Sequence, residues 1–235
     1  MKFEFNSLNL IEPPKIAIFR QDLKMLGFLN AKNIVIKPAF ANISELTFKC
    51  YKSDQFYDCL IKGIVFEVDG FGRFVQTEAS ESKNSDGDMI TITAHSWEET
   101  LNNITLTYND NTHIKLWDAI TPESGSSVQN PDGSWSNFPT LLYVIQKQTG
   151  WKIAHVDAEL LNESRTMTID KEQVYSLLMS TIANTYKCYF EFDTIKKEIS
   201  CYRKTKTLIF QNIPESMFHS TIYYKNKLFL NLQMM

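Results

Sequence analysis

Most of the signatures that would announce a chemistry are missing from this chain. No apolar run approaches the ~20 residues needed to cross a bilayer as a helix. The start, Met-Lys-Phe-Glu-Phe-Asn, lacks the apolar stretch of a secretory signal. The chain is therefore expected to stay in the cytosol unless assembly carries it out. There is no surplus of positive charge. With 24 Lys and Arg against 27 Asp and Glu, the net charge is −3 and the pI about 5.8. That argues against a nucleic-acid binder, whose basic face must neutralise phosphates. The longest basic cluster, Arg203, Lys204 and Lys206, sits among strand-like residues and reads as a solvated hairpin edge. Cysteine is sparse, at Cys50, Cys59, Cys188 and Cys201, and no two form a C-x-x-C pair. Zinc and redox sites favour such pairs, so the thiols are expected to pack as small hydrophobes.

Catalytic motifs are missing as well. There is no P-loop, H-E-x-x-H or G-x-S-x-G pattern. His95, His113, His155 and His219 are scattered, and none has a second His within helical reach. A hydrolase pairing Cys59 or Cys188 with one of them is open by composition, but no local pattern supports it. Glu98 and Glu99 are adjacent, and adjacent helical residues do not face each other. One is expected to cap and the other to be a solvated charge. Asp86-Gly87-Asp88 lacks the further oxygen ligands of a calcium loop and reads as a hairpin turn. Of the tryptophans, Trp117 and Trp151 lie beside expected helices and read as core, and Trp97 falls in a capping segment. Trp135, in a polar stretch, is the one that a receptor- or carbohydrate-binding module would expose. No catalytic, cofactor-binding or metal-binding residue is expected, and no cofactor.

What is present is aromatic and β-branched. Sixteen Phe and ten Tyr favour half-buried β surfaces. Short strand-like runs occupy 34–36, 45–51, 64–68, 74–76 and 89–94, with turn signals at Asp69-Gly70 and Asp86-Gly87. Such spacing suggests a small barrel or sandwich, with one helical turn near Gln21–Met25. Ser96-Trp97-Glu98-Glu99 is a capping-box pattern for a short helix through Leu101. A second helix is expected from Thr112, carrying Ile114, Trp117 and Ile120. Ser124 to Asn137 reads as a flexible loop. Pro139 suits the first turn of a helix bearing Leu141, Leu142 and Ile145, ended by Gly150. The clearest helix spans Lys171 to Tyr186, with Asp170 as N-cap and Val174, Leu177, Leu178, Thr181 and Ile182 as its stripe. A hairpin follows, in which a turn at Thr194 to Lys197 sets Phe192 opposite Ile199 and Phe190 opposite Cys201. Leu208-Ile209-Phe210, Thr221 to Tyr224 and Leu228-Phe229-Leu230 open a further strand region.

The expected architecture is α+β. Residues 1–107 form a β-rich, barrel-like domain and 108–204 an α/β domain of helices packed on a β-hairpin. Residues 205–235 begin a second barrel-like domain that looks truncated.

Several segments, in order, resemble one family. Ile43-Ser44-Glu45-Leu46-Thr47-Phe48 is similar to an early strand of siphophage tail-tip proteins, variously called minor structural, tail-associated lysin or prophage endopeptidase-tail proteins. Phe71 to Val75 and Ile92 to Leu101 resemble the stretch where a strand leads into a short helix. Thr149 to Asp157, Arg165 to Asp170 and Phe190 to Asp193 with Ile199 resemble the remainder, so the likeness covers roughly residues 40 to 204. The resemblance implies a hub fold similar to the baseplate hub of contractile-tailed phages. It implies a homotrimeric ring on the tail axis, docked on the distal tail protein and tail tube. The role implied is structural rather than enzymatic, in a virion tail assembled in the bacterial cytoplasm, with no membrane and no specific nucleic-acid binding. Family members usually continue into a second barrel and often a wall-degrading or fibre-like region. Ser220 to Asn226 resembles the opening of that barrel, so the chain reads as a truncated gene, a remnant or a fragment.

Overall fold

A computed structural model describes residues 14–39, 42–84, 87–108, 114–161 and 163–204, and the strand backbone at 221–224 and 227–230; side chains of 81–84, 87 and 128 are outside that description. The fold is mostly β-sheet with few helices. The chain divides into two units, residues 1–203 and 204–235.

The first unit opens with β1 (Ile16–Phe19), β2 (Met25–Leu29), β3 (Lys32–Lys37), β4 (Glu45–Tyr51), β5 (Val65–Val68), β6 (Gly72–Asn84) and β7 (Gly87–Ser96). They make one antiparallel seven-stranded sheet in the order β2-β1-β5-β6-β7-β4-β3. Period-two alternation puts Ile16, Ile18, Leu46, Phe48, Phe66, Val68, Phe74 and Ile92 on one buried face. Phe48 and Phe66 meet edge to face at 5.1 Å. The β4–β5 connection covers this face with Phe56, Tyr57, Cys59, Leu60 and Ile64.

The expected barrel is not closed by hydrogen bonds, because β2 and β3 are the two edges of the sheet and do not pair. Yet they are consecutive in sequence, separated only by Asn30 and Ala31. Six strand spacings would hold the edges of a flat sheet ~29 Å apart. The three steps from Leu29 to Lys32 span at most ~10 Å. The sheet therefore curls until its margins meet at this corner. Six antiparallel pairings also give β2 and β3 the same sense, so residues 25–37 leave one edge and enter the other without reversing. Asp54 pins the corner, its carboxylate accepting the N–H groups of Asn30 at 3.1 Å and Phe56 at 2.9 Å.

Turns behave partly as expected. Asp69-Gly70 joins β5 to β6, with Gly70 at φ 75° and the Phe71 N–H donating to Val68 O. The helical turn expected at Gln21–Met25 is instead the β1–β2 hairpin, where the Arg20 N–H donates to Lys24 O at 3.0 Å. The hairpin's own turn and ladder bonds outweigh the weak helix preference there. Asp86 lies outside the described residues, but Asn84 pairs with Gly87 on either side of residues 85–86.

A second core gathers Leu101, Leu106, Leu142, Trp151, Leu178, Tyr186, Cys188 and Cys201 among others. Its strands are β8 (Thr105–Tyr108), β9 (Ile114–Lys115), β10 (Ser126–Gln129), β11 (Trp135–Phe138), β12 (Lys152–Val156), β13 (Ser164–Arg165), β14 (Ile169–Gln173), β15 (Cys188–Asp193) and β16 (Glu198–Arg203). The β15–β16 hairpin has the expected register, Phe192 with Ile199 and Phe190 with Cys201, around the turn 194–197. β12 joins it in parallel, giving the order β12-β16-β15. Helix α1 (Leu141–Thr149) buries Leu141, Leu142 and Ile145 and ends at Gly150 in the left-handed region, φ 68°. Pro139 stands just outside it, before the cap position Thr140.

Four local expectations are corrected. The helix expected from Lys171 begins at Val174, because Ile169–Gln173 is strand β14, laddered to β8 with Glu172 opposite Leu106. Asp170 is therefore not its cap. The stripe Val174, Leu177, Leu178 and Ile182 is buried as expected. The helix passes through a π-helical stretch, Leu177–Ile182, in which Ser180 Oγ donates back to Ser176 O at 2.5 Å. The helix expected from Thr112 is not formed over its described part. Ile114–Lys115 pairs with Ser164–Arg165, Trp117 bridges Leu161, and Asp118 accepts the N–H groups of Ile120 and Thr121, both at 2.9 Å. An Asp that bonds its own downstream backbone favours a turn over a helix. Thr112 and His113 lie outside the described residues. The loop expected from Ser124 to Asn137 is largely the β10–β11 hairpin. At Ser96 a 3-10 helix (Trp97–Asn103) forms, but the capping box does not. Ser96 Oγ donates to Glu98 Oε1 at 2.6 Å, and Glu99 Oε2 lies 2.8 Å from His95 Nδ1.

The second unit contains the hairpin of β17 (Thr221–Tyr224) and β18 (Lys227–Leu230). Leu208-Ile209-Phe210 and Lys206 lie outside the described residues.

Candidate functional site: an assembly surface

The chemistry-bearing side chains are dispersed. His95 is held by Glu99, and His155 Nε2 lies 2.8 Å from Asp157 Oδ1. His219 and His113 are outside the described residues. Cys50, Cys188 and Cys201 are buried, and Cys59 is half-buried. Burial, with the nearby Asp54 charge, pushes the Cys50 thiol up to about 11. The hydrogen bond with Cys188, together with burial, raises Cys201 far beyond the ordinary thiol range. Such thiols are poor nucleophiles near neutral pH. Among the described residues no three His, Cys, Asp or Glu side chains converge on a metal position. Arg203 is not the solvated edge that the sequence suggested. It reaches back to Glu163 Oε2 at 2.6 Å and to Tyr186 O at 3.0 Å. Trp97 and Trp151 are buried, their rings 6.1 Å apart, and Trp117 is half-buried against the second core. Trp135 is 57% exposed.

What the structure does assemble is a surface around the β2 edge. β2 reads Met25-Leu26-Gly27-Phe28-Leu29, with no charge. Met25 is 45% and Phe28 57% exposed. Among the described residues β2 is hydrogen-bonded on one side only, and an edge of that kind is usually guarded with charge. β3 has that guard, Lys32 and Lys37 at its ends; β2 does not.

On the outer face, register aligns Phe28, Ala17, Glu67 and Arg73 across β2, β1, β5 and β6. Arg73 organises the far end of this row. Its Nε donates to Glu67 Oε2 at 2.8 Å, its guanidinium to Ile195 O at 3.0 Å, and its backbone N–H to Thr194 Oγ1 at 2.8 Å. The guanidinium also lies over the rings of Phe19, at 5.4 Å, and Trp97, at 5.5 Å. One side chain thus ties the 194–197 turn of the second core to the large sheet. Gly72 permits the approach, since a Cβ there would come within 2.4 Å of Thr194 Oγ1. Phe71 and Ile195 remain exposed beside it. Exposed aromatics, Met and Arg around a paired charge are the composition of interface cores rather than of catalytic clefts. The absence of charge in β2 was the one signal of this surface in the sequence; the role of Arg73 had none.

No protein-family profile matches the chain, and no curated protein is similar to it in sequence. Solved structures are similar in fold. The crystal structure of prophage tail protein gp18 from Listeria monocytogenes EGD-e aligns over 80% of this chain and 50% of that one, at 14% identity and TM-score 0.51. The 43 kDa tail protein of prophage MuSo2 from Shewanella oneidensis aligns over 82% and 54%, at 14% identity and TM-score 0.49. A tail protein from Neisseria meningitidis MC58 aligns over 81% and 51%, at 12% identity and TM-score 0.47. The chain spans about half the length of each. The likeness to the Listeria protein is one of fold.

Proposed function

We propose that the chain is a structural component of a phage or prophage tail, placed at the tail tip as a baseplate-hub-type module without catalytic activity of its own. The observation that carries this reading is the fold shared with the Listeria prophage tail protein over four-fifths of the chain. The uncharged β2 edge and its apolar surroundings supply the kind of surface that assembly needs. The large sheet and the second core serve as two modules of the hub, the second taking in Leu101 and β8 as well as the residues after 108. The module assembles as a homotrimer and contacts the distal tail protein and tail tube. Cyclic symmetry would set one subunit's β2 region against a different patch of its neighbour.

Size-exclusion chromatography with light scattering tests this, on the chain alone and with its distal tail partner. A trimer, or a stable complex with the partner, is the expected result. A monomer at ~100 μM that also fails to bind the partner would overturn the reading, since biological interfaces of standard size hold far below that concentration.

A further inference from the structure

We propose that the β10–β11 hairpin is a binding platform for neutral carbohydrate. Its register pairs Gln129 with Trp135 and Ser127 with Asn137, and these four side chains share one face. Gln129, Trp135 and Asn137 are exposed and Ser127 is half-buried. The opposite face turns inward, with Ser126 fully buried and its Oγ accepting the Lys115 N–H at 2.9 Å. The outward face therefore offers one indole, two carboxamides and one hydroxyl, with no charged side chain among them.

Each group has a use in sugar recognition. An exposed indole stacks against the C–H face of a pyranose, which gains apolar contact there without losing its hydroxyl hydrogen bonds. A carboxamide both donates and accepts, which suits a hydroxyl that does the same. Directly opposed residues have Cβ atoms ~5 Å apart. Positions two apart on a strand lie ~7 Å apart. Gln129, across the ladder, and Asn137, along the strand, thus flank the indole on two adjacent sides within reach of a sugar's rim. None of these four side chains is charged, and the one carboxylate of the turn, Asp132, disfavours anionic ligands.

The platform is also held in shape. Asn130 Nδ2 donates to Ser134 Oγ and Ser136 Oγ, both at 2.9 Å. Asp132 Oδ1 accepts the Ser134 hydroxyl at 2.6 Å and its N–H at 2.9 Å. The Asn130 N–H donates to Ser134 O at 2.8 Å. Thr140 anchors the base, donating its N–H and its hydroxyl to Pro122 O at 2.7 and 2.9 Å. A turn fixed this way does not have to order itself when ligand arrives.

The test uses the full chain labelled with nitrogen-15. The indole N–H signals are followed during titration with cellotriose, maltotriose and triacetylchitotriose, and with trigalacturonic acid as an anionic control. Trp135→Phe assigns the signal. The expected result is a saturable shift of the Trp135 indole with at least one neutral trisaccharide. Binding should weaken about tenfold or more in Trp135→Ala and severalfold in Asn137→Ala. No saturable shift up to about 20 mM of any neutral sugar would overturn the proposal. So would binding that survives Trp135→Ala, or tighter binding of the anionic control. The oligomeric state measured above is a separate readout, so either idea can fail alone.

Discussion

Replacing Glu98 with Gln should stabilise the protein, and only where the carboxyl would otherwise be charged. Glu98 is 7% exposed on the 3-10 helix after β7. Its Oε1 accepts the Ser96 hydroxyl, whose oxygen in turn accepts the Ser44 N–H at 3.0 Å. Its Oε2 has no hydrogen-bond partner among the described residues. Burial is the largest influence on the group and raises its pKa above 4.5; the Ser96 bond and a backbone N–H pull the other way, and the Glu99 charge adds to the rise. The folded protein therefore holds this proton more tightly than the unfolded chain. The contribution to stability is full below the unfolded value, declines as pH rises through the folded-state pKa, and is then constant. Gln keeps an acceptor for Ser96 and removes the buried charge. An unsatisfied buried group costs about 1–3 kcal/mol, more when charged, and the amide leaves a neutral one in its place. The net gain expected near pH 8 is therefore about 1 kcal/mol, or ~2–4 °C in Tm for a chain of this size. Urea denaturation at about pH 8 and about pH 4, with equal m-values for parent and variant, measures it. Stability at pH 8 equal to or below the parent's, or a difference that does not shrink at pH 4, would refute the reasoning.

Other perturbations follow from the same geometry. Arg73→Ala removes the half-buried Glu67 pair, the bond to Ile195 O and two ring contacts, and should cost about 2–3 kcal/mol in urea denaturation; Arg73→Lys should recover only part, because an ammonium cannot fork and stack at once. Asp118→Ala should cost about 1–2 kcal/mol. Backbone N–H bonds from Thr121 and Ile120 and the Lys115 contact hold this carboxyl down to about 2, so its contribution is present above 3.8 and lost as acid titration passes through about 2; the Ala variant should lack that component. In the native protein a thiol reagent at about pH 8 should label Cys59 first. Cys50, Cys188 and Cys201 should become reactive only with denaturant, as read by mass spectrometry.

Much of this fold could be read from local pattern, and the exceptions share a cause. The β15–β16 register was legible because Cys188, Phe190 and Phe192 alternate strictly and a four-residue turn fixes the return strand. The end of α1 was legible because Gly150 supplies the left-handed residue that a helix end favours. Asp170-Lys171-Glu172 was misread because its N-terminal helix signals are real but weaker than a ladder to Thr105–Tyr108, more than sixty residues away. The β10–β11 hairpin was missed because Ser126, Ser127, Ser136 and Asn137 and the intervening Asn130-Pro131-Asp132-Gly133 carry loop composition, which outweighs the strand-type residues Val128, Trp135 and Phe138. For the surface, Trp135 was the one tryptophan singled out as a candidate contact, and Phe28 was not singled out. Trp135 stands among polar residues, whereas Phe28 sits in an apolar run that reads as core until its strand proves to be an edge.

The chain run that supplies both margins of the large sheet makes fraying a shared event. An ordinary edge strand can peel away and leave the far edge untouched. Here, releasing β2 drags Asn30 from the Asp54 carboxylate and slackens the start of β3. Amides of β1 that bond β2, and amides of β4 that bond β3, should then exchange with solvent deuterium in step, although five strands separate the two margins in the sheet order. A segment of thirteen residues would set the opening rate of the whole sheet, and one carboxylate would latch it.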